Sequence, residues 1–116
     1  MPKVVLVTGV SRYLGGRMAR ILTEDPTIDR VVGVDVVPPR MDIGGAEFVR
    51  ADIRNPIIAK VINAAEVDTV VHMGVIATPV QAGGRMSMKE INVIGTMQLL
   101  AACQKSPSVR KLVVKS

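Results

Sequence analysis

What most constrains this chain is a set of apolar, β-branched runs without polar alternation, each set apart from the next by other spacing. KVVLVT (Lys3–Thr8), RVVGVDV (Arg30–Val36) and TVVHMGV (Thr69–Val75) are of this kind, as strands buried on both faces require. GGAEFVRAD (Gly44–Asp52) carries a shorter third strand, and KLVVKS (Lys111–Ser116) is the fifth. Between the first two, Leu14, Met18, Ile21 and Leu22 follow a helical period that Pro26 ends. Asn55–Pro56 is a helix start, with Asn as cap and Pro first, ahead of an apolar face of Ile57, Ile58, Val61, Ile62 and Ala65. A loop with Pro79, Gly83 and Gly84 precedes a helix from about Met86 to Gln104. That helix sets Met88, Ile91, Gly95, Leu99 and Ala102 on one side; Val93, Ile94, Met97 and Leu100 on its other sides make it broadly buried. Strands separated by helices, with no hairpin turn between them, imply right-handed crossovers and a parallel sheet. The expected architecture is α/β and doubly wound, with strand order 3-2-1-4-5.

Composition narrows the setting. With 116 residues, 48% of them apolar, the chain suffices for one domain with a core. No apolar run reaches bilayer-spanning length, and no secretory signal opens the chain, so no membrane partner is expected. Cys103 is the single cysteine; it fits a reducing cytoplasm and lies in an apolar helical pattern, where inert packing is expected. The net charge of +5 is scattered, and Tyr13 and Phe48 are the only aromatics. No nucleic-acid partner is expected from that pattern. The chain stops at the edge of strand five with no covering element, so it is expected to be the N-terminal part of a longer protein, truncated after that strand. An exposed edge there favours association, a homodimer being one form of it.

A parallel sheet gathers its strand C-termini along one edge, where ligands bind at the switch point. VTGVSRYLGGRMAR (Val7–Arg20) places Gly9 at the end of strand one and Gly15 and Gly16 at the opening of a helix. That is either a phosphate cradle or a plain tight turn. Asp35 ends strand two, twenty residues after Gly15, where a carboxylate can bond both ribose hydroxyls of an adenosine and repel a 2′-phosphate. Asp52 and Ile53 follow strand three; they could hold an adenine, or Asp52 could cap the helix. Met73, Gly74 and Val75 end strand four, with Gly74 allowing close approach to a ribose. His72, the only histidine, invites a catalytic role, but a hydrogen-bonded structural histidine is the expectation. Asn92 either spans to a strand-four carbonyl or caps local backbone, and Gly95 suggests close helix–sheet contact.

Taken together, these segments resemble the N-terminal half of the extended short-chain dehydrogenases/reductases, the NAD-dependent sugar epimerase/dehydratase family. VTGVSRYLGG is similar to T-G-x-x-G-(F/Y)-(I/L)-G; ADIRNP, VVHMG and NVIGTMQLLAAC resemble G-D-(I/L)-R-(D/N), V-x-H-x-A and N-V-x-G-T-x-x-L-L-x-A. VRKLVVKS resembles the strand that ends in paired serines. The resemblance implies a Rossmann domain over residues 1–116, with a dinucleotide bound across Gly9, Tyr13, Leu14, Gly15, Asp35, Val36, Asp52, Ile53, Met73, Gly74, Val75 and Asn92, and Ser116 near the nicotinamide. It further implies a catalytic Tyr-x-x-x-Lys pair beyond this segment, which the chain lacks; Tyr13 sits in the phosphate turn and is not that tyrosine. No catalytic residue and no metal site is assigned within the chain.

One residue departs from the pattern: Arg12 replaces the middle glycine. In the related T-G-x-S-R-G-(I/L)-G turn the arginine often faces the 2′-phosphate of NADP. Arg12 therefore pulls toward NADP and Asp35 toward NAD; a repulsive contact discriminates strongly, so NAD is expected and NADP is the alternative. Arg12 could instead grip the pyrophosphate or pair with Asp35. The implied function is the NAD(P)-binding part of a nucleoside-diphosphate-sugar epimerase, dehydratase or related reductase, whose substrate is a nucleotide sugar or other small molecule. Rival readings are a non-catalytic NAD(P)-binding module or redox sensor, and a scaffold that binds no nucleotide.

Overall fold

The computed structural model describes residues 2–74 and 90–115. The segment with Val75, Pro79, Gly83, Gly84, Met86 and Met88, and the terminal Ser116, lie outside them. Strands β1 (Val4–Thr8), β2 (Arg30–Asp35), β3 (Glu47–Arg50), β4 (Thr69–His72) and β5 (Lys111–Val114) form one sheet in the order β3-β2-β1-β4-β5. Every pairing is parallel; Val7 lies opposite Gly33 on one side of β1 and Val71 on the other. Helices α1 (Tyr13–Thr23), α2 (Ile57–Ala65) and α3 (Thr96–Lys105) make the crossovers, and a π-helical stretch, Glu90–Gly95, leads into α3.

The period of two along each strand divides the core in half. Val4 and Leu6 of β1, with Val32, Val34 and Val70, face Ile58 and Ile62 of α2 and Leu99, Ala102 and Cys103 of α3. Val5, Val7 and Val31 turn the other way, onto Val10, Ala19 and Ile43, with Met18 and Leu22 of α1 alongside. Burial on both faces explains the unbroken apolar runs. Cys103 is buried, and desolvation pushes its thiol pKa up, so it packs as a neutral side chain.

The structure shows which faces of the helices are covered, and two expectations need correction. In α1 the inward side is Gly15, Gly16 and Ala19, flanked by Met18 and Leu22; Leu14 and Ile21 point to solvent. The backbone at the two glycines lies so near the β1 loop that no apolar side chain could mark that face. Along the π-helical lead-in and α3, Val93, Ile94, Met97 and Leu100 are 39–64% exposed, so this segment is buried on one side only. Periodicity reports a residue's direction but not whether a neighbour covers it. Gly95 is buried, but a Cβ there would meet Ile53 Cδ1 at 2.8 Å, so its close contact is with the loop after β3 rather than the sheet. The start of α2 keeps the expected chemistry: Asn55 Oδ1 accepts the Ile57 N–H at 3.0 Å, and Pro56 already has helical dihedrals.

Candidate functional site

At the C-terminal edge of the sheet the strand order reverses between β1 and β4, and a cleft opens there. Its empty volume, which includes space open to solvent, is about 490 Å³. Thr8 and Gly9 line it from β1, Val34, Asp35 and Val36 from β2, residues 51–54 from the loop after β3, and Gly74 from beyond β4; Arg12 closes one side. Four separate chain segments thus meet because each follows a parallel strand of the same sheet.

The glycine turn after β1 is built by close approach. Gly9 has φ +75°, the left-handed region, and a Cβ there would stand 2.7 Å from Gly74 Cα. A Cβ on Gly15 would stand 2.1 Å from the Gly9 carbonyl oxygen. The turn therefore folds α1 directly onto the end of β1. Arg12, the N-cap of α1, makes no side-chain cap, and the first turn holds no acidic residue. The positive end of the helix dipole is left for an anion.

Asp35 is half-buried at the end of β2. Its Oδ2 accepts the Ser11 hydroxyl at 2.5 Å and the Ser11 N–H at 3.1 Å, while Oδ1 accepts the Val36 N–H at 2.7 Å. Arg12, one residue on, forms no ion pair with Asp35 or with any other described residue. Of the alternatives open for Arg12, pairing with Asp35 is thus not the one found; Ser11 holds that carboxylate. Asp52 is gripped by Arg54, whose Nε lies 3.1 Å from each carboxylate oxygen and whose guanidinium NH₂ lies 2.7 Å from Oδ2. The Arg54 side-chain bonds hold the Asp52 carboxyl below the usual carboxylate range. Asp52 also accepts the Arg54 N–H, which ties the turn ahead of α2.

His72 is fully buried, beside Thr8 in the sheet register. Its Nδ1 lies 2.6 Å from Thr8 Oγ1 and its Nε2 lies 3.0 Å from Thr96 Oγ1. Thr8 Oγ1 also accepts the Gly74 N–H at 3.0 Å. A neutral ring satisfies all three bonds when the Thr8 hydroxyl donates to Nδ1 and Nε2–H donates to Thr96. Burial pushes the His72 pKa down, and this is the structural histidine expected from the sequence. Because the folded-state pKa lies below the unfolded one, the unfolded chain binds the extra proton first as pH falls. Stability is therefore complete above pH 6.5, the ordinary histidine value. It falls below that pH by up to about 1.4 kcal/mol per pH unit until the folded pKa is passed. Urea midpoints between neutral pH and pH 5 check this: the wild type should lose stability more steeply than His72→Gln, which cannot titrate.

The remaining expected positions are more dispersed. Tyr13 and Leu14 are over half exposed on the first turn of α1, where Arg17 donates to the Tyr13 hydroxyl at 2.7 Å. Met73 is half-buried and packs on the α1 side of the sheet. Asn92 is half-buried on the π-helical stretch, a conformation that recurs at functional sites. Val75 and Ser116 lie outside the described residues. Sequence reasoning passed over Thr8, Ser11 and Arg54. The first is hidden in a strand, and the other two are ordinary loop residues whose partners only the fold brings near.

Comparison with known proteins places this geometry. The family model described as "NAD dependent epimerase/dehydratase family" matches residues 5–116. The chain belongs to that family. An uncharacterized protein of Mycobacterium tuberculosis (strain H37Rv) is 56% identical over 99% of this chain and 32% of its own length. Human short-chain dehydrogenase/reductase family 42E member 1 is 34% identical over 87% of this chain and 26% of its own. The epimerase/dehydratase domain thus spans about a third of the length of the curated relatives it matches. Among solved structures, a UDP-glucose 4-epimerase from Stenotrophomonas maltophila with bound NAD and formylated UDP-arabinopyranose superposes with TM-score 0.81. That match has 26% identity and covers 100% of this chain and 37% of that one. A UDP-glucose 4-epimerase from Brucella ovis in complex with NAD, at 21% identity and TM-score 0.83, covers 98% of this chain and 35% of that one and shares the fold. Among the described residues no helix is long and apolar enough to cross a membrane.

Proposed function

We propose that residues 1–116 are the nicotinamide-dinucleotide-binding Rossmann domain, and the N-terminal part, of a cytoplasmic epimerase, dehydratase or related reductase acting on a nucleotide sugar. The observation that carries this reading is the meeting of an uncapped helix start, a glycine turn and the Asp35 carboxylate in one cleft. The residues present fit the cofactor. Gly9 and Gly15 let the α1 N-terminus approach a pyrophosphate, flanked by Arg12, Tyr13 and Leu14. Asp35 accepts from the adenosine ribose and Val36 borders it; Asp52 and Ile53 border the adenine. Met73, Gly74 and Asn92 would border the second ribose; the family resemblance adds Val75 there and Ser116 near the nicotinamide, both outside the described residues. When bound, the cofactor supplies hydride exchange with a carbinol carbon. The chain's own part is to bind and orient it; the Tyr-x-x-x-Lys pair that would move the proton belongs to a further part of the protein.

NAD is the proposed cofactor. Support comes from Asp35, whose negative charge opposes a 2′-phosphate, and from the NAD bound in the Stenotrophomonas epimerase. Calorimetric titration of the purified protein with each dinucleotide tests this. NAD should bind at least about tenfold more tightly than NADP. Tighter NADP binding would overturn the NAD assignment, and binding of neither would overturn the dinucleotide reading.

A further inference from the structure

The carboxylate expected to read the ribose is itself held. A carboxylate offers about four acceptor positions, two on each oxygen. Ser11 fills both on Asp35 Oδ2, one with its hydroxyl at 2.5 Å and one with its N–H at 3.1 Å. The Val36 N–H takes one position on Oδ1. One acceptor position remains, on Oδ1, and Asp35 lines the cleft.

We infer that Ser11 is a positioning residue that sets cofactor selectivity: by clamping Oδ2 it fixes the rotation of the Asp35 carboxylate, so that Oδ1 alone meets the ribose. The inference rests on the dinucleotide reading above. A fixed negative charge rejects a 2′-phosphate because it cannot turn aside; a carboxylate free to rotate can. Arg12 lines the same cleft without an ion pair among the described residues. Once unclamped, Asp35 is free to swing onto that guanidinium, which would both neutralise the repulsion and withdraw the acceptor from NAD. The clamp therefore keeps the two opposing signals, Arg12 and Asp35, from cancelling. Charge-assisted hydrogen bonds of this kind are strong enough to decide the rotation.

The test compares NAD and NADP affinities, by calorimetry, for the wild type, Ser11→Ala and Ser11→Thr. Ser11→Ala keeps the N–H and removes the hydroxyl; Ser11→Thr keeps both. The ratio of NAD to NADP affinity should fall about tenfold in Ser11→Ala and return toward the wild-type value in Ser11→Thr. A purely structural role would weaken both dinucleotides equally. An unchanged ratio in Ser11→Ala, or a loss in Ser11→Thr as large as in Ser11→Ala, overturns the inference. A wild type that binds neither dinucleotide overturns the reading beneath it, and the inference with it.

Discussion

Gly15→Ala is expected to abolish measurable NAD binding and to lower stability by about 3–5 kcal/mol. Helix propensity alone argues the opposite, since alanine in place of a helical glycine gains about 1 kcal/mol. Sterics decide the sign. The new Cβ would stand 2.1 Å from the Gly9 carbonyl oxygen and 2.7 Å from the Gly9 carbonyl carbon, both backbone atoms that cannot rotate away. Either α1 or the end of β1 must move, and with it the open helix end and Gly9. Gly45→Ala is the control: nothing lies within 4 Å of a Cβ there, so it should be neutral or slightly stabilising. Urea unfolding and NAD titration of both variants check the pair. Wild-type stability and affinity in Gly15→Ala would show that the turn tolerates what its geometry forbids.

Asp35→Ala is expected to weaken NAD binding by about tenfold to a hundredfold, the size of a lost charge-assisted hydrogen bond of about 1.5–3 kcal/mol. NADP should be affected less, because the same change removes a repulsion as well as an acceptor, so the preference between the two collapses. A stability cost of about 1–2 kcal/mol accompanies this, since Ser11 N–H, Ser11 Oγ and Val36 N–H all lose their acceptor. The affinity ratio separates the two effects: general loosening would lower both affinities together, whereas loss of the ribose-reading charge moves them apart. The same titrations report it, and equal losses for NAD and NADP would argue against Asp35 as the discriminating residue.

Much of the fold was legible because strands buried on both faces leave no room for polar residues, and the runs at Lys3, Arg30 and Thr69 show this directly. Once those strands are parallel and ordered 3-2-1-4-5, the edge that gathers Gly9, Asp35, Asp52 and Gly74 follows from topology alone. The misreadings have equally local causes. Counting apolar side chains is blind to glycine, so the period of Leu14, Met18, Ile21 and Leu22 showed a helix but not that Gly15, Gly16 and Ala19 form its inward face. An apolar residue without a neighbour looks like a buried one, as at Met97. The π-helical turn at Glu90–Gly95 has the same residues an α-turn would have. The partnerships at the site were the least legible. Short polar side chains gain meaning only from what stands opposite, so Ser11 bonding across 24 residues to Asp35 left no mark in local sequence. The conflict between Arg12 and Asp35 was visible; that Ser11 holds the Asp35 carboxylate was not.

The central claim is that a nicotinamide dinucleotide occupies the cleft at the end of β1. Amide chemical shifts of the ¹⁵N-labelled protein, followed as NAD is added, test it most directly. The account predicts the largest saturable shifts at Gly9, Tyr13, Gly15, Val36 and Gly74, with little change at Lys105 and Lys111, which lie away from that edge. Saturable shifts confined to another surface, or none at millimolar NAD, would contradict it.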